Sequence, residues 1–217
     1  MRGLQKPISY LITSGQTTAA TTSSSKDFRR ILQLITAAVA AKIDLIQVRE
    51  KALTTKVLYE LARSAAEITR SSATKLLVND RADVAAAAGA DGVHLTTQSL
   101  PAPVVRQSFG NDFLIGVSTH SLDEARVACD AGADFAVFGS VFETPSKARY
   151  GPPGGLERLK HVCSELKPFP ILAIGGVTEE NFADCLRAGA QGIAAIRMFD
   201  EPQRLPGILE KIREGFH

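Results

Sequence analysis

A short phrase recurs three times along the chain. It reads Ala88-Gly89-Ala90-Asp91-Gly92-Val93-His94-Leu95, then Ala131-Gly132-Ala133-Asp134-Phe135-Ala136-Val137-Phe138, then Ala188-Gly189-Ala190-Gln191-Gly192-Ile193-Ala194-Ala195-Ile196. Each copy follows an alanine-rich or amphipathic helical stretch. The glycine suits the left-handed position that ends a helix, and the apolar run after it reads as a short buried strand. A helix-to-strand joint used repeatedly implies βα units on a parallel sheet.

Other apolar runs extend the pattern. Strands are expected at 10–13, 44–48, 75–78, 92–95, 114–117, 135–138, 171–174 and 192–196. Helical periodicity is expected at 27–41, 57–71, 81–88, 102–109, 121–131, 155–165, 179–188 and 201–215. Eight strands, each followed by a helix, match an α/β fold of the single (β/α)8 TIM-barrel type. The competing architecture, a doubly wound open sheet, usually has fewer strands, and no G-x-G-x-x-G follows the first one. A barrel of this kind accommodates all 217 residues in one domain, 1–217.

Composition excludes several classes. With 45% hydrophobic and 22% charged residues, the chain can bury a core and is not disordered. A formal net charge of +2 is too balanced for a nucleic-acid or anionic-lipid binder. No apolar run is long enough for a signal peptide or a membrane span, so a cytoplasmic location is expected. Cys129, Cys163 and Cys185 lie far apart, without metal-ligand or disulfide spacing, and are expected as buried thiols in helices.

Barrel enzymes carry their chemistry where strands end and helices begin. Gln47, Arg49 and Lys51 alternate at the end of the second strand, so they project from one face while the chain stays extended. Two cations and an amide suit a phosphate or diphosphate, although a salt-bridged strand end would read the same. Asn79 and Asp80 end the third strand. Asp80 suits a hydrated Mg²⁺ held by one carboxylate and substrate phosphates, or else caps the following helix. His94 and Thr96-Thr97-Gln98-Ser99 end the fourth strand; Ser118-Thr119-His120 end the fifth. His120 precedes a capping-box pattern and is a candidate general acid or base, whereas His161 and His217 read as surface residues. Gly175-Gly176 and Arg197, at the ends of the last two strands, suit a phosphate bound by backbone N–H groups and one guanidinium. No hydrolase nucleophile pattern is present.

Two loops stand out. Residues 14–25 are a polar Ser/Thr-rich segment, expected as a flexible surface loop. Residues 143–155 carry Lys147 and Arg149 ahead of five Gly and Pro residues, and are expected to act as a lid.

Six stretches in order carry a resemblance. They are Gln47-Val48-Arg49-Glu50-Lys51, Asn79-Asp80-Arg81, Asp91-Gly92-Val93-His94-Leu95, Gly116-Val117-Ser118-Thr119-His120, Thr144-Pro145-Ser146-Lys147 and Ala173-Ile174-Gly175-Gly176. With these the chain resembles the thiamin phosphate synthase/TenI superfamily from about Tyr10 to Phe199. The resemblance implies a Mg²⁺-dependent transferase of thiamin biosynthesis. Such an enzyme joins a hydroxymethylpyrimidine diphosphate to a thiazole phosphate and releases diphosphate by a dissociative path.

Carried over by position, Gln47, Val48, Arg49, Glu50, Lys51, Asn79 and Lys147 match the pyrimidine diphosphate site, and Ser118 a pyrimidine-site serine. Thr144, Pro145, Ser146, Gly176, Ile196 and Arg197 match the thiazole phosphate site. Asp80 matches a Mg²⁺ ligand. The resemblance gives catalytic roles to Lys147, Arg49, Ser118 and, in the tautomerase branch, His120. It implies small-molecule partners, no nucleic acid and no membrane, and leaves a homo-oligomer open.

Two positions depart from the synthase pattern. Ser99 stands where synthases usually carry a second metal-binding Asp, and Arg197 where they usually carry Ser. The alternatives are therefore a TenI-type thiazole tautomerase with His120 as acid/base, or a ligand-binding regulator without catalysis.

Overall fold

The computed structural model describes residues 7–96, 98–144 and 154–215. Eight parallel strands close into a barrel in sequence order. They are β1 (Ile8–Ile12), β2 (Leu45–Val48), β3 (Lys75–Asn79), β4 (Gly92–Leu95), β5 (Leu114–Thr119), β6 (Phe135–Phe138), β7 (Ile171–Ala173) and β8 (Gly192–Ala195). The helices around them are α1 (Lys26–Ala40), α2 (Thr55–Thr69), α3 (Ala82–Ala88), α4 (Ala102–Phe109), α5 (Leu122–Asp130), α6 (Gly155–Glu165), α7 (Phe182–Arg187) and α8 (Leu205–Glu214). The ring is sealed where Ile8 to Leu11 pair with Gly192 to Ala195.

The recurring joint behaves as its residues require. Gly89, Gly132 and Gly189 have φ of 74°, 80° and 100°, the left-handed conformation that turns each helix end toward the next strand. The acidic residue of the joint has a structural task that its spacing did not reveal. The carboxylate of Asp91 accepts the backbone N–H of Leu76, and that of Asp134 accepts the N–H of Ile115. Asp44, ahead of β2, does the same for Ser9. Each fastens the open end of the preceding strand.

Alternation divides the strands into two packing layers. Outward residues such as Leu11, Ile46, Val78 and Ile193 pack on the helices in the larger core. Inward residues, among them Ile8, Tyr10, Leu45, Leu77, Phe135, Leu172 and Ala194, fill the barrel. Gly116 makes room for Phe135 and His94. A methyl group added there would lie 2.4 Å from Phe135 and 2.9 Å from the His94 ring. Gly116→Ala is therefore expected to cost about 1–3 kcal/mol by overpacking, lowering the melting temperature by about 2–4 °C per kcal/mol. An unchanged melting temperature would mean that the interior rings shift freely.

Three expectations need correction. Helical periodicity at 179–188 overstates α7. Residues 178–181 form a turn in which the Asn181 side chain accepts the Thr178 N–H and donates to the Gly176 carbonyl. The last helix begins at Leu205, after 3-10 turns at Arg197–Phe199 and Pro202–Arg204. Of the three thiols, Cys163 and Cys185 are buried, but Cys129 is only half-buried.

Candidate functional site

The inward positions at the carboxyl ends of the strands form a polar mouth above an apolar interior. Gln47 follows Leu45 on the inner face of β2, Asn79 follows Leu77 on β3, and Ser118 follows Gly116 on β5, while Arg49 comes just after β2, near enough for its charge to act on His94. Gln47 is 1% exposed, and among the described residues its Nε2 is buried without a hydrogen-bond partner. A buried donor of this kind is costly unless something accepts from it.

Asp80 organises one side of the mouth. Its backbone N–H continues the β3–β4 ladder by donating to the His94 carbonyl, and its φ is +61°, tolerable for aspartate. The carboxylate accepts hydrogen bonds from Asn79 Nδ2 at 2.5 Å, Thr96 Oγ1 at 2.8 Å and Ser99 Oγ, and lies 3.8 Å from Lys51 Nζ. Burial works against its ionisation, but the hydroxyls of Ser99 and Thr96, the Lys51 ammonium and the Asn79 amide outweigh it and hold the carboxyl below its usual range. The N-cap of α3 is Arg81, and among the described residues the Asp80 carboxylate accepts from Asn79, Thr96 and Ser99, not from the first turn of the helix.

Ser99 has a task of its own. Its hydroxyl is spent on the Asp80 carboxylate and on the Thr96 N–H, which it accepts at 2.7 Å. Among the described residues no group of three His, Cys, Asp or Glu side chains could hold a metal ion. What is present is one ionised carboxylate, 28% exposed at the mouth. That donor set fits Mg²⁺ held by a single protein carboxylate and completed by phosphate and water oxygens, and does not fit a cage of protein ligands.

The opposite side of the mouth joins the ends of β6, β7 and β8. Val141 and Phe142 donate their N–H groups to the carbonyls of Ile174 and Gly175, extending the β6–β7 pairing past the strands. Gly176 has φ of +66°, and a Cβ there would lie 2.5 Å from the Glu143 carbonyl oxygen, so only glycine fits. Arg197 donates to Thr144 Oγ1 at 3.3 Å, which ties the β8 end to the β6 loop. Ile196 belongs to the inward-facing set just before Arg197. The ends of the loop are clamped, Gly154 and Gly155 donating to the carbonyls of Ser140 and Val141. Pro145, Ser146 and Lys147 lie outside the described residues, as does most of the expected lid.

Not every residue of the second-strand motif faces the mouth. Val48 is buried among the helices. Glu50 is 3% exposed, and its carboxylate accepts the Gly15 N–H, the Thr17 N–H and the Thr17 hydroxyl at 3.2, 3.3 and 2.8 Å. The expectation of a loose surface loop at 14–25 is thereby corrected. Thr17 and Thr21 are buried, and the segment is strapped to the end of β2. Arg49 shares this strap. Its N–H donates to Thr13 Oγ1 at 2.8 Å, and a methyl group added at Gly15 would stand 3.2 Å from its Nη1.

His120 is exposed, and its Nδ1 lies 2.5 Å from the Gly139 carbonyl oxygen. A carbonyl only accepts, so Nδ1 is the donor in this bond and Nε2 is the nitrogen left for other partners. His94, named among the strand ends without a role, turns out to be buried inside the barrel. Its Nε2 lies 2.9 Å from Ser118 Oγ and its Nδ1 3.1 Å from the Tyr10 hydroxyl. Burial pushes its pKa down to about 4, so the ring is neutral at physiological pH. The two-residue step from Gly92 was the signal that could have placed it inward.

A family model described as thiamine monophosphate synthase matches residues 17–199. A putative thiamine-phosphate synthase from Geobacter sulfurreducens is 45% identical over 168 residues, covering 77% of this chain and 78% of that protein. The thiamine-phosphate synthase of Moorella thermoacetica is 43% identical over 168 residues, covering 77% and 80%. Among solved structures, a thiamine phosphate pyrophosphorylase from Pyrococcus furiosus superimposes over 98% of both chains with a TM-score of 0.82 at 29% identity. With a closed barrel, the motifs at its mouth and relatives of this similarity along most of its length, the chain belongs to the thiamine monophosphate synthase family.

Proposed function

We propose that this chain is a thiamine-phosphate synthase. It is a transferase that joins 4-amino-2-methyl-5-hydroxymethylpyrimidine diphosphate to a thiazole phosphate and releases diphosphate. The observation that carries the reading is the division of one mouth into two polar clusters. Arg49, Lys51, Asn79 and Asp80 stand on the β2–β3 side, and Thr144, Gly176 and Arg197 stand across from them at the ends of β6 to β8. Two phosphorylated substrates need two such clusters, with the reacting carbon and nitrogen between them.

Gln47 and Ser118 hold the pyrimidine from the inner wall. The Arg49 guanidinium and Lys51 ammonium, with Lys147 from the β6 loop, neutralise the diphosphate as its bond to the ring methylene breaks, which favours a dissociative path. Thr144, Ser146, the backbone at Gly176 and Ile196, and Arg197 hold the thiazole phosphate so that its ring nitrogen is already aimed at that carbon. Mg²⁺ held by Asp80 and phosphate oxygens would supply further charge neutralisation on the leaving diphosphate. The β6 loop keeps water from the electron-poor methylene. No helix among the described residues is long and apolar enough to cross a membrane, and a cytoplasmic enzyme acting as one barrel domain is the reading we adopt.

The test is diphosphate release by the purified protein given both substrates, with and without Mg²⁺. Release that depends on the metal and on both substrates, with thiamine phosphate formed, is expected. A folded protein that releases no diphosphate but turns over a carboxythiazole phosphate would overturn the proposal and transfer the chemistry to His120.

A further inference from the structure

Three rings meet inside the barrel beneath the mouth. Tyr10 on β1, His94 on β4 and Phe135 on β6 lie with ring centroids 5.7 to 6.2 Å apart. Tyr10 is 0% exposed and His94 3%. The hydroxyl of Tyr10 reaches His94 Nδ1, and His94 Nε2 reaches Ser118 Oγ. This chain of three polar groups runs from the sealed interior to a half-buried serine at the mouth.

Hydrogen accounting fixes its direction. Among the described residues, the Tyr10 hydroxyl has His94 Nδ1 as its hydrogen-bond neighbour. If Nδ1 carried the ring proton, it would donate to the Tyr10 oxygen, and the hydroxyl hydrogen would be left in an apolar interior with no acceptor. A buried donor without an acceptor is the costly arrangement, so the opposite polarity wins. Tyr10 donates to Nδ1, the proton of the neutral imidazole sits on Nε2, and Nε2–H donates to Ser118 Oγ. With its oxygen accepting from below, Ser118 turns its own hydrogen toward the mouth.

We propose that Tyr10 and His94 are positioning residues that set Ser118 as a hydrogen-bond donor, so that the site selects a ring with an acceptor nitrogen at that point. The inference rests on the synthase reading for the identity of the ligand. A pyrimidine carries such a lone pair on each ring nitrogen. A ring presenting N–H there would have to use the second lone pair of Ser118 Oγ and leave the hydroxyl hydrogen without that acceptor, so it binds less well. Neither Tyr10 nor His94 touches the reacting atoms in this scheme.

The first readout needs no substrate. In protein labelled with nitrogen-15 at the histidine rings, with His94→Asn used to assign the signals, His94 should show a protonated Nε2 and an unprotonated Nδ1. In Tyr10→Phe, which keeps the ring volume, Nδ1 loses the donor that fixes the tautomer, so the preference for Nε2–H should weaken. The Michaelis constant for the pyrimidine diphosphate should then rise by up to about tenfold, the scale of one hydrogen bond, with that for the thiazole phosphate unchanged. Ser118→Ala should give the full rise, and the double variant no more than Ser118→Ala alone, because Tyr10 acts only through that hydroxyl.

A protonated Nδ1 in the unaltered protein would overturn the proposal. So would multiplicative effects in the double variant, which would place Tyr10 outside the path through Ser118. Failure of the synthase reading is seen separately. There the free protein shows the expected ring protonation, yet no thiamine phosphate forms, and selection of a pyrimidine ring falls with that reading.

Discussion

Asp80→Asn is expected to lower the rate of diphosphate release about 100- to 1,000-fold, the scale of losing one well-placed electrostatic group. It should also abolish the response to added Mg²⁺. Asparagine is the informative replacement because the backbone at this position has φ of +61°, which asparagine tolerates and alanine does not. Any loss then reports the charge and not a strained backbone. The carboxylate accepts from the Ser99 hydroxyl, the Thr96 hydroxyl and the Asn79 amide at the β3–β4 edge, with Lys51 nearby. An amide there accepts with one atom only, so one of these donors loses its partner. Binding of the thiazole phosphate should stay within about twofold, since its cluster lies across the mouth and sites without shared partners act independently. Equal loss of both substrates, measured by titration calorimetry, would sink a metal-binding role and leave Asp80 as a scaffold for its own edge.

Glu50→Ala should damage both stability and substrate binding. Glu50 is the one acceptor for three donors, the N–H groups of Gly15 and Thr17 and the Thr17 hydroxyl. Each would cost about 1–3 kcal/mol if left buried and unpaired. The segment can instead swing into water, so a net loss of about 1–3 kcal/mol is expected. A nonspecific protease should cut within residues 14–25 faster than in the unaltered protein. Release of the strap also removes the wall of chain beside the Arg49 guanidinium. The Michaelis constant for the pyrimidine diphosphate should therefore rise about tenfold or more, since small displacements of a charged clamp are costly. Glu50→Gln keeps one acceptor oxygen and should fall between the two. Faster proteolysis with unchanged kinetics would show that Arg49 is held by its own strand alone.

These two residues show how far the chain could be read without coordinates. Asp80 falls at a strand end in the sequence because the apolar run expected at 75–78 stops just before it, and a lone carboxylate beside an amide already points to a cation. Glu50 sits inside the same motif as Arg49 and Lys51 and was grouped with them as a binding residue. In the folded chain it turns to the other side of the strand end and grips a loop from β1. Alternation alone implies opposite faces for neighbouring residues, but not that a Ser/Thr-rich segment more than 30 residues earlier supplies donors to that face. The same limit applies to Ser99, which in sequence only replaces a second metal-binding Asp and in the fold is a donor to Asp80.

What the order of residues determined by itself was the architecture and the edge of the barrel where polar groups collect. Local periods of two and near four, with glycine at each helix-to-strand joint, depend on interactions between near neighbours in the chain, and these survive in any reading of the sequence. Which polar groups satisfy one another was decided only by closure of the barrel. Tyr10 reaches His94 across 84 positions, and Arg197 reaches Thr144 across 53. A closed ring of strands brings such groups into a dry or narrow space where each hydrogen must find an acceptor. That pairing belongs to the three-dimensional arrangement, because a hydrogen bond is directional and short-ranged and carries no signature in linear spacing.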